Sequence, residues 1–110
     1  MITQRLAEFV IDTRTSDVPN DVLNASRDAL IDTIGVALVG SLDEVGEITL
    51  RYISDLGARR EAGIWGSAVA TSMAEAAFAN GVSGHALDFD DVHASVHGHP
   101  STTTESYPNG

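Results

Sequence analysis

PNDVLNASRDALIDTIGVALV, residues 19–39, decides the fold class, because it reads as one long helix. Val22, Ala25, Ala29, Leu30, Ile34, Ala37 and Leu38 recur at helical spacing and make a broad apolar stripe. Pro19 is tolerated in a first helical turn, where its missing N–H has no intrahelical partner. Asp21 sits near the N-terminal end, where the helix dipole favours negative charge. The second half is apolar almost all round, which predicts a place at the centre of the core. Gly40 is the expected stop.

Working outward, Thr3–Thr13 places Leu6, Phe9 and Val10 on one face of a short amphipathic helix. A turn at Thr15–Asp17 separates it from the long one. Downstream, Asp43–Leu56 carries Val45, Ile48, Tyr52, Ile53 and Leu56 at helical spacing and is closed by Gly57. Ala62–Gly66 (AGIWG) is bounded by glycine and reads as an extended connector with Trp65 tucked against a helix. A fourth helix begins near Thr71 or Ser72, since Ser72 and Glu75 have the spacing of a capping box. Its body, Met73–Asn80, holds four alanines, small enough to let another backbone approach. The pattern continues through Gly81–Gly84 to Leu87, with a bend expected at the glycines. After Ser101 the sequence TTTESYPNG is polar and turn-forming, and a frayed tail is expected there. The fold class is all-α, in a single domain.

Composition limits the function. The 110 residues carry 16 acidic and 6 basic side chains, a formal charge of −10. Every basic residue is an arginine (5, 14, 27, 51, 59 and 60) and there is no lysine. Such a chain repels nucleic acid and anionic membranes. The absence of cysteine removes thiolate metal sites, disulfides and cysteine nucleophiles, and fits a cytoplasmic protein. Ala29–Val39 is too short and too polar to span a bilayer.

Chemistry concentrates in LDFDDVHASVHGHPS, residues 87–101. Asp88, Asp90, Asp91, His93, His97 and His99 fall within twelve residues, with His85 just upstream. Carboxylates and imidazoles are the groups that move protons near neutral pH. On a helix Asp88 and Asp91 would share a face, and close carboxylates would raise one another's pKa. Three readings stay open on the residues alone: a solvated acidic surface, an acid–base site, or a metal site using His97 and His99 with Asp88 or Asp91. The metal spacing matches no specific motif.

The segment NGVSGHALDFDDVHASVHGHPS resembles the signature region of the MmgE/PrpD family. RLAEFVIDT, ALIDTIGVALVGS and the Ile64–Trp65–Gly66 connector before an alanine-rich helix are similar to that family's N-terminal region. The resemblance covers residues 3–102 and implies the N-terminal part of a large helical domain, in 1–102, with 103–110 a polar tail that departs from the pattern. It further implies lyase-type chemistry without cofactor or metal: dehydration, decarboxylation or epimerisation of small di- and tricarboxylates through a carbanion, as in 2-methylcitrate dehydratase, by enzymes that form homodimers. By motif, Asp88 matches a pocket acid and His99 a pocket histidine that binds substrate and shuttles a proton. Phe89 is expected to pack behind Asp88. Asp90 and Asp91 are expected to hold the loop by hydrogen bonds, and His93 and His97 to lie at the rim or in solvent. The family's pocket lysines have no counterpart here, so the chain is expected to be an inactive, truncated part of an enzyme. The alternatives are a non-catalytic helical interaction module and a metal-dependent hydrolase using Asp88, His97 and His99.

Overall fold

The computed structural model describes residues 1–95 and 97–105. Among the described residues there are five α-helices, α1 (Ile2–Asp12), α2 (Asn20–Gly40), α3 (Glu44–Leu56), α4 (Met73–His85) and α5 (Pro100–Glu105), with a 3-10 turn at Thr15–Asp17 between the first two. A short antiparallel hairpin, β1 (Ala62–Gly63) with β2 (Ala70–Thr71), joins α3 to α4. The fold is all-α apart from this hairpin, which replaces the expected plain connector.

Local signals set the helix ends. The Asp43 side chain accepts a hydrogen bond from the Val45 amide and starts α3, and Gly57 ends it in the left-handed region at φ 63°. The Ser72 side chain accepts from the Glu75 amide and starts α4. α4 runs as one unbroken helix through Gly81 and Gly84 to His85, and Gly84 serves close packing: a Cβ there would come within 3.2 Å of the Thr102 methyl.

Small residues carry the packing. The face of α2 turned inward holds Thr33, Ala37 and Gly40, and that of α4 holds Ala76, Ala79, Asn80, Ser83 and Gly84. Ile53, Ile64, Ala76 and Ala79 form the core cluster, with Leu50, Ala62 and Val69 against it. Asn80 is wholly buried, and its side-chain oxygen accepts from the Trp65 amide at 2.9 Å, which ties the hairpin to α4.

Two expectations are corrected here. The second half of α2 is not the centre of the core: Ile31, Leu38 and Val39 are exposed, because close approach to α4 selects the face with the smallest side chains. In α3 the buried residues are Gly46, Thr49 and Ile53, while Val45, Ile48, Tyr52 and Leu56 are exposed. Gly46 lets α3 turn tightly against the end of α2, since a Cβ there would lie 2.6 Å from the Gly40 carbonyl oxygen. The apolar face of α1, with Ile2, Leu6, Phe9 and Val10, is also exposed.

The expected frayed tail is corrected as well. Residues 100–105 form α5, which starts at Pro100 and buries Thr102. Residues 106–110 of that tail lie outside the described residues.

Candidate acid–base site

The site forms where α4 ends. His85 is the last residue of α4, and the Asp88 amide donates to its carbonyl at 3.1 Å. Asp88 then takes a left-handed conformation, φ 55°, which aspartate tolerates better than most residues. The chain turns back there, so the helical same-face argument for Asp88 and Asp91 does not apply. The turn returns Asp90 to His85, five residues earlier. Further on, the loop is closed at its neck. The His93 amide donates to the Gly98 carbonyl at 3.0 Å, and the Ser101 amide donates to Asp91 at 3.1 Å. That closure brings His99 back to Asp90 and starts α5.

Asp90 is the hub. Its side chain is 1% exposed. The Thr102 hydroxyl donates to its Oδ2 at 2.6 Å, and His85 Nδ1 donates to its Oδ1 at 3.0 Å. His99 Nδ1 comes to 3.1 Å from Oδ2, though without hydrogen-bond alignment, so the contact is electrostatic. The rings of His85 and His99 meet edge to face with centroids 4.4 Å apart. His99 Nε2 lies 3.8 Å from Asp88 Oδ1, beyond hydrogen-bond reach, and the Asp88 side chain is 79% exposed.

The electrostatics follow from these contacts. Burial alone would raise the Asp90 pKa, but the hydrogen bonds from Thr102 and His85, with the charge on His85, hold it below its ordinary value. The expected mutual raising of carboxylate pKa values is therefore corrected for Asp90: its nearest neighbours are donors, not other carboxylates. His85 is raised above its ordinary value by its hydrogen bond to Asp90 and by the Asp90 charge, against a smaller opposing effect of desolvation.

A cavity of about 450 Å³ opens beside the cluster. Ala77, Phe78, Gly81 and Val82 of α4 form its apolar wall, and His85, Asp90, His99, Thr102 and Thr103 form the rest. Among the described residues, no arginine lines it. Phe89 does not pack behind Asp88: it is exposed, and lies over a shallow cleft with Ile31, Val36 and Val39 of α2. His93 and His97 are exposed, with His97 at φ 48°.

The metal set of Asp88, His97 and His99 is not assembled, because His97 stays on the exposed loop. One donor atom from each of His85, Asp88, Asp90 and His99 does lie within 4.8 Å of the others, close enough for a cation to bridge. Both oxygens of Asp90 already face N–H or O–H groups, however, which suits proton traffic better than metal binding.

Of the two residues singled out by motif, His99 stands in the cluster and Asp88 at its exposed edge. His85 and Thr102 were missed. The spacing of His85 and Asp90 across a helix end was the only local signal for the first. Nothing local marked Thr102.

The helices and this cluster define a class, and comparison with known proteins supplies its name. A family profile for the MmgE/PrpD N-terminal domain matches residues 4–106. The chain belongs to the MmgE/PrpD family. It is similar to cis-aconitate decarboxylase of Homo sapiens, 29% identical over 98 residues that cover 87% of this chain and 20% of that protein. The cis-aconitate decarboxylase of Mus musculus is 26% identical over 98 residues, with the same coverage. The chain thus spans about a fifth of the length of these curated relatives. No solved structure matches at a significant level. Among the described residues, no helix is long and apolar enough to cross a membrane.

Proposed function

We propose that this chain supplies the histidine–carboxylate part of a lyase-type site that acts on a small di- or tricarboxylate by acid–base chemistry. The observation that carries this reading is the placement of His85, His99 and the buried Asp90 together in the lining of one cavity, next to the apolar side chains of α4. In this reading His99 Nε2 takes a proton from, or returns one to, a carbon next to a substrate carboxylate, and Asp88 lies beside that nitrogen. Dehydration, decarboxylation and epimerisation all pass through such a proton transfer. The similarity to cis-aconitate decarboxylase supports a tricarboxylate as substrate.

Anionic substrate needs cationic partners, because burying unpaired carboxylates is costly. Among the described residues no arginine lines the cavity and His85 is already paired with Asp90, so the reading assigns the permanent cations to further polypeptide, and the 110-residue chain alone is expected to turn nothing over. The test is cis-aconitate turnover by a polypeptide joining residues 1–106 to the remaining four-fifths of a cis-aconitate decarboxylase. His99→Ala should lower turnover by about 10²–10⁴-fold, and Asp88→Asn should also lower it, both with an unchanged circular dichroism spectrum. Full turnover in both variants would overturn the reading.

A second reading, a non-catalytic helical interaction module, draws on the exposed apolar face of α1. It requires a stoichiometric partner in sedimentation and indifference of that partner to His99→Ala.

A further inference from the structure

We propose that Asp90 is the positioning residue of this site: its carboxylate holds His85 and His99 as a pair of Nδ1–H tautomers, which leaves the two Nε2 atoms to exchange protons. An ionised carboxylate only accepts hydrogen bonds, so a ring nitrogen held against it must carry the proton. His85 Nδ1 meets that condition directly, at 3.0 Å from Oδ1. His99 Nδ1 is buried, has no hydrogen-bond partner among the described residues, and lies 3.1 Å from Oδ2, so the proposal requires the ring to turn until that bond forms. The Thr102 hydroxyl donates to the same carboxylate from the side of α5, so that with His99 the carboxylate would hold three donors. A buried anion requires that number of donors, and Asp90 is the one carboxylate in the cluster that is buried.

Asp88 cannot take this role. It is 79% exposed, and it faces Nε2 of His99 rather than Nδ1. The titratable groups facing the histidine pair are therefore Asp88 and Asp90 from the loop, each histidine facing the other, while α5 contributes the uncharged Thr102. With both Nδ1 atoms committed to Asp90, His85 becomes a second proton carrier beside His99, their rings in edge-to-face contact. A histidine so oriented by a carboxylate keeps one tautomer and presents one basic nitrogen, which removes a cost from each proton transfer. The proposal rests on the acid–base reading for its consequence in turnover, and stands without it for the tautomers.

The experiment is long-range proton–nitrogen correlation of the imidazoles in the full 110-residue chain, at a pH where they are neutral. His85 and His99 should show protonated Nδ1 and unprotonated Nε2. His93 and His97 should show the mixed pattern of free histidine, in which protonated Nε2 predominates. Asp90→Asn should return His85 and His99 to the mixed pattern, whereas Asp88→Asn should leave them as they are. Protonated Nε2 on His85 and His99 in the unchanged chain would overturn the proposal, as would four identical mixed patterns. Survival of the Nδ1–H pattern in a folded Asp90→Asn chain would overturn it too. If Asp90→Asn does not fold, the spectrum of the unchanged chain decides. A chain with the expected spectrum but no part in turnover would sink the acid–base reading and leave Asp90 in this role.

Discussion

Gly40 and Ser83 touch where α2 crosses α4: a methyl group built on Gly40 would overlap the Ser83 carbonyl oxygen. The position of α4, and hence of His85 at its end, depends on that contact. Gly40→Ala should destabilise the chain by about 1–3 kcal/mol, the cost of forcing atoms into a close-packed contact. Gly35, on the same helix with nothing within 4 Å of its would-be Cβ, is the control. Gly35→Ala should stabilise by about 0.5–1 kcal/mol, because alanine loses less backbone entropy in a helix. Urea midpoints measured side by side check both signs.

Thr102→Val keeps the shape of the side chain and removes the hydroxyl that donates to Asp90. A buried carboxylate that loses a donor costs about 1–3 kcal/mol. The same hydrogen bond helps hold the Asp90 pKa down, so its loss should also move acid unfolding to higher pH. Thr102→Ser should restore most of both effects. A valine variant as stable as the unchanged chain, beside a destabilised serine variant, would show that only the methyl contact with Gly84 matters.

Both shifted groups make stability depend on pH, in opposite directions. The folded-state pKa of His85 lies above its ordinary 6.5, so its contribution is full below 6.5 and disappears as pH rises through the raised value. That of Asp90 lies below its ordinary 3.8, so its contribution is full above 3.8 and disappears as pH falls through the lowered value. The two act together between pH 3.8 and 6.5. Unfolding free energy measured in urea should decline as pH rises above that window, modestly, since the His85 side chain is 53% exposed. Asp90→Asn should abolish the decline. A slope unchanged by that substitution would assign it to other groups.

What the sequence revealed and what it hid divide along the range of the interactions. Ser72, Asp43 and Gly57 mark helix ends through contacts with residues two or three away, and those ends could be read directly. The threonines after Pro100 are poor helix formers, and α5 depends on Thr102 reaching Gly84 and Asp90. Apolar spacing marked α1 and α3 as helices and included the buried Ile53, but it missed that Gly46 and Thr49 make the rest of the close packing of α3 while Val45, Ile48, Tyr52 and Leu56 stay exposed. The family motif singled out Asp88 and His99. Which aspartate is buried depends on where the chain leaves α4 and where α5 returns, and that is a tertiary fact with no local signature.

Asp90 is the buried partner of His85, and site-resolved NMR titration of the chain tests this pairing most directly. The His85 imidazole should titrate above 6.5, the Asp90 carboxyl carbon should titrate below 3.8, and Asp90→Asn should bring His85 back toward 6.5. A His85 midpoint at or below 6.5, or one that Asp90→Asn leaves in place, would contradict it.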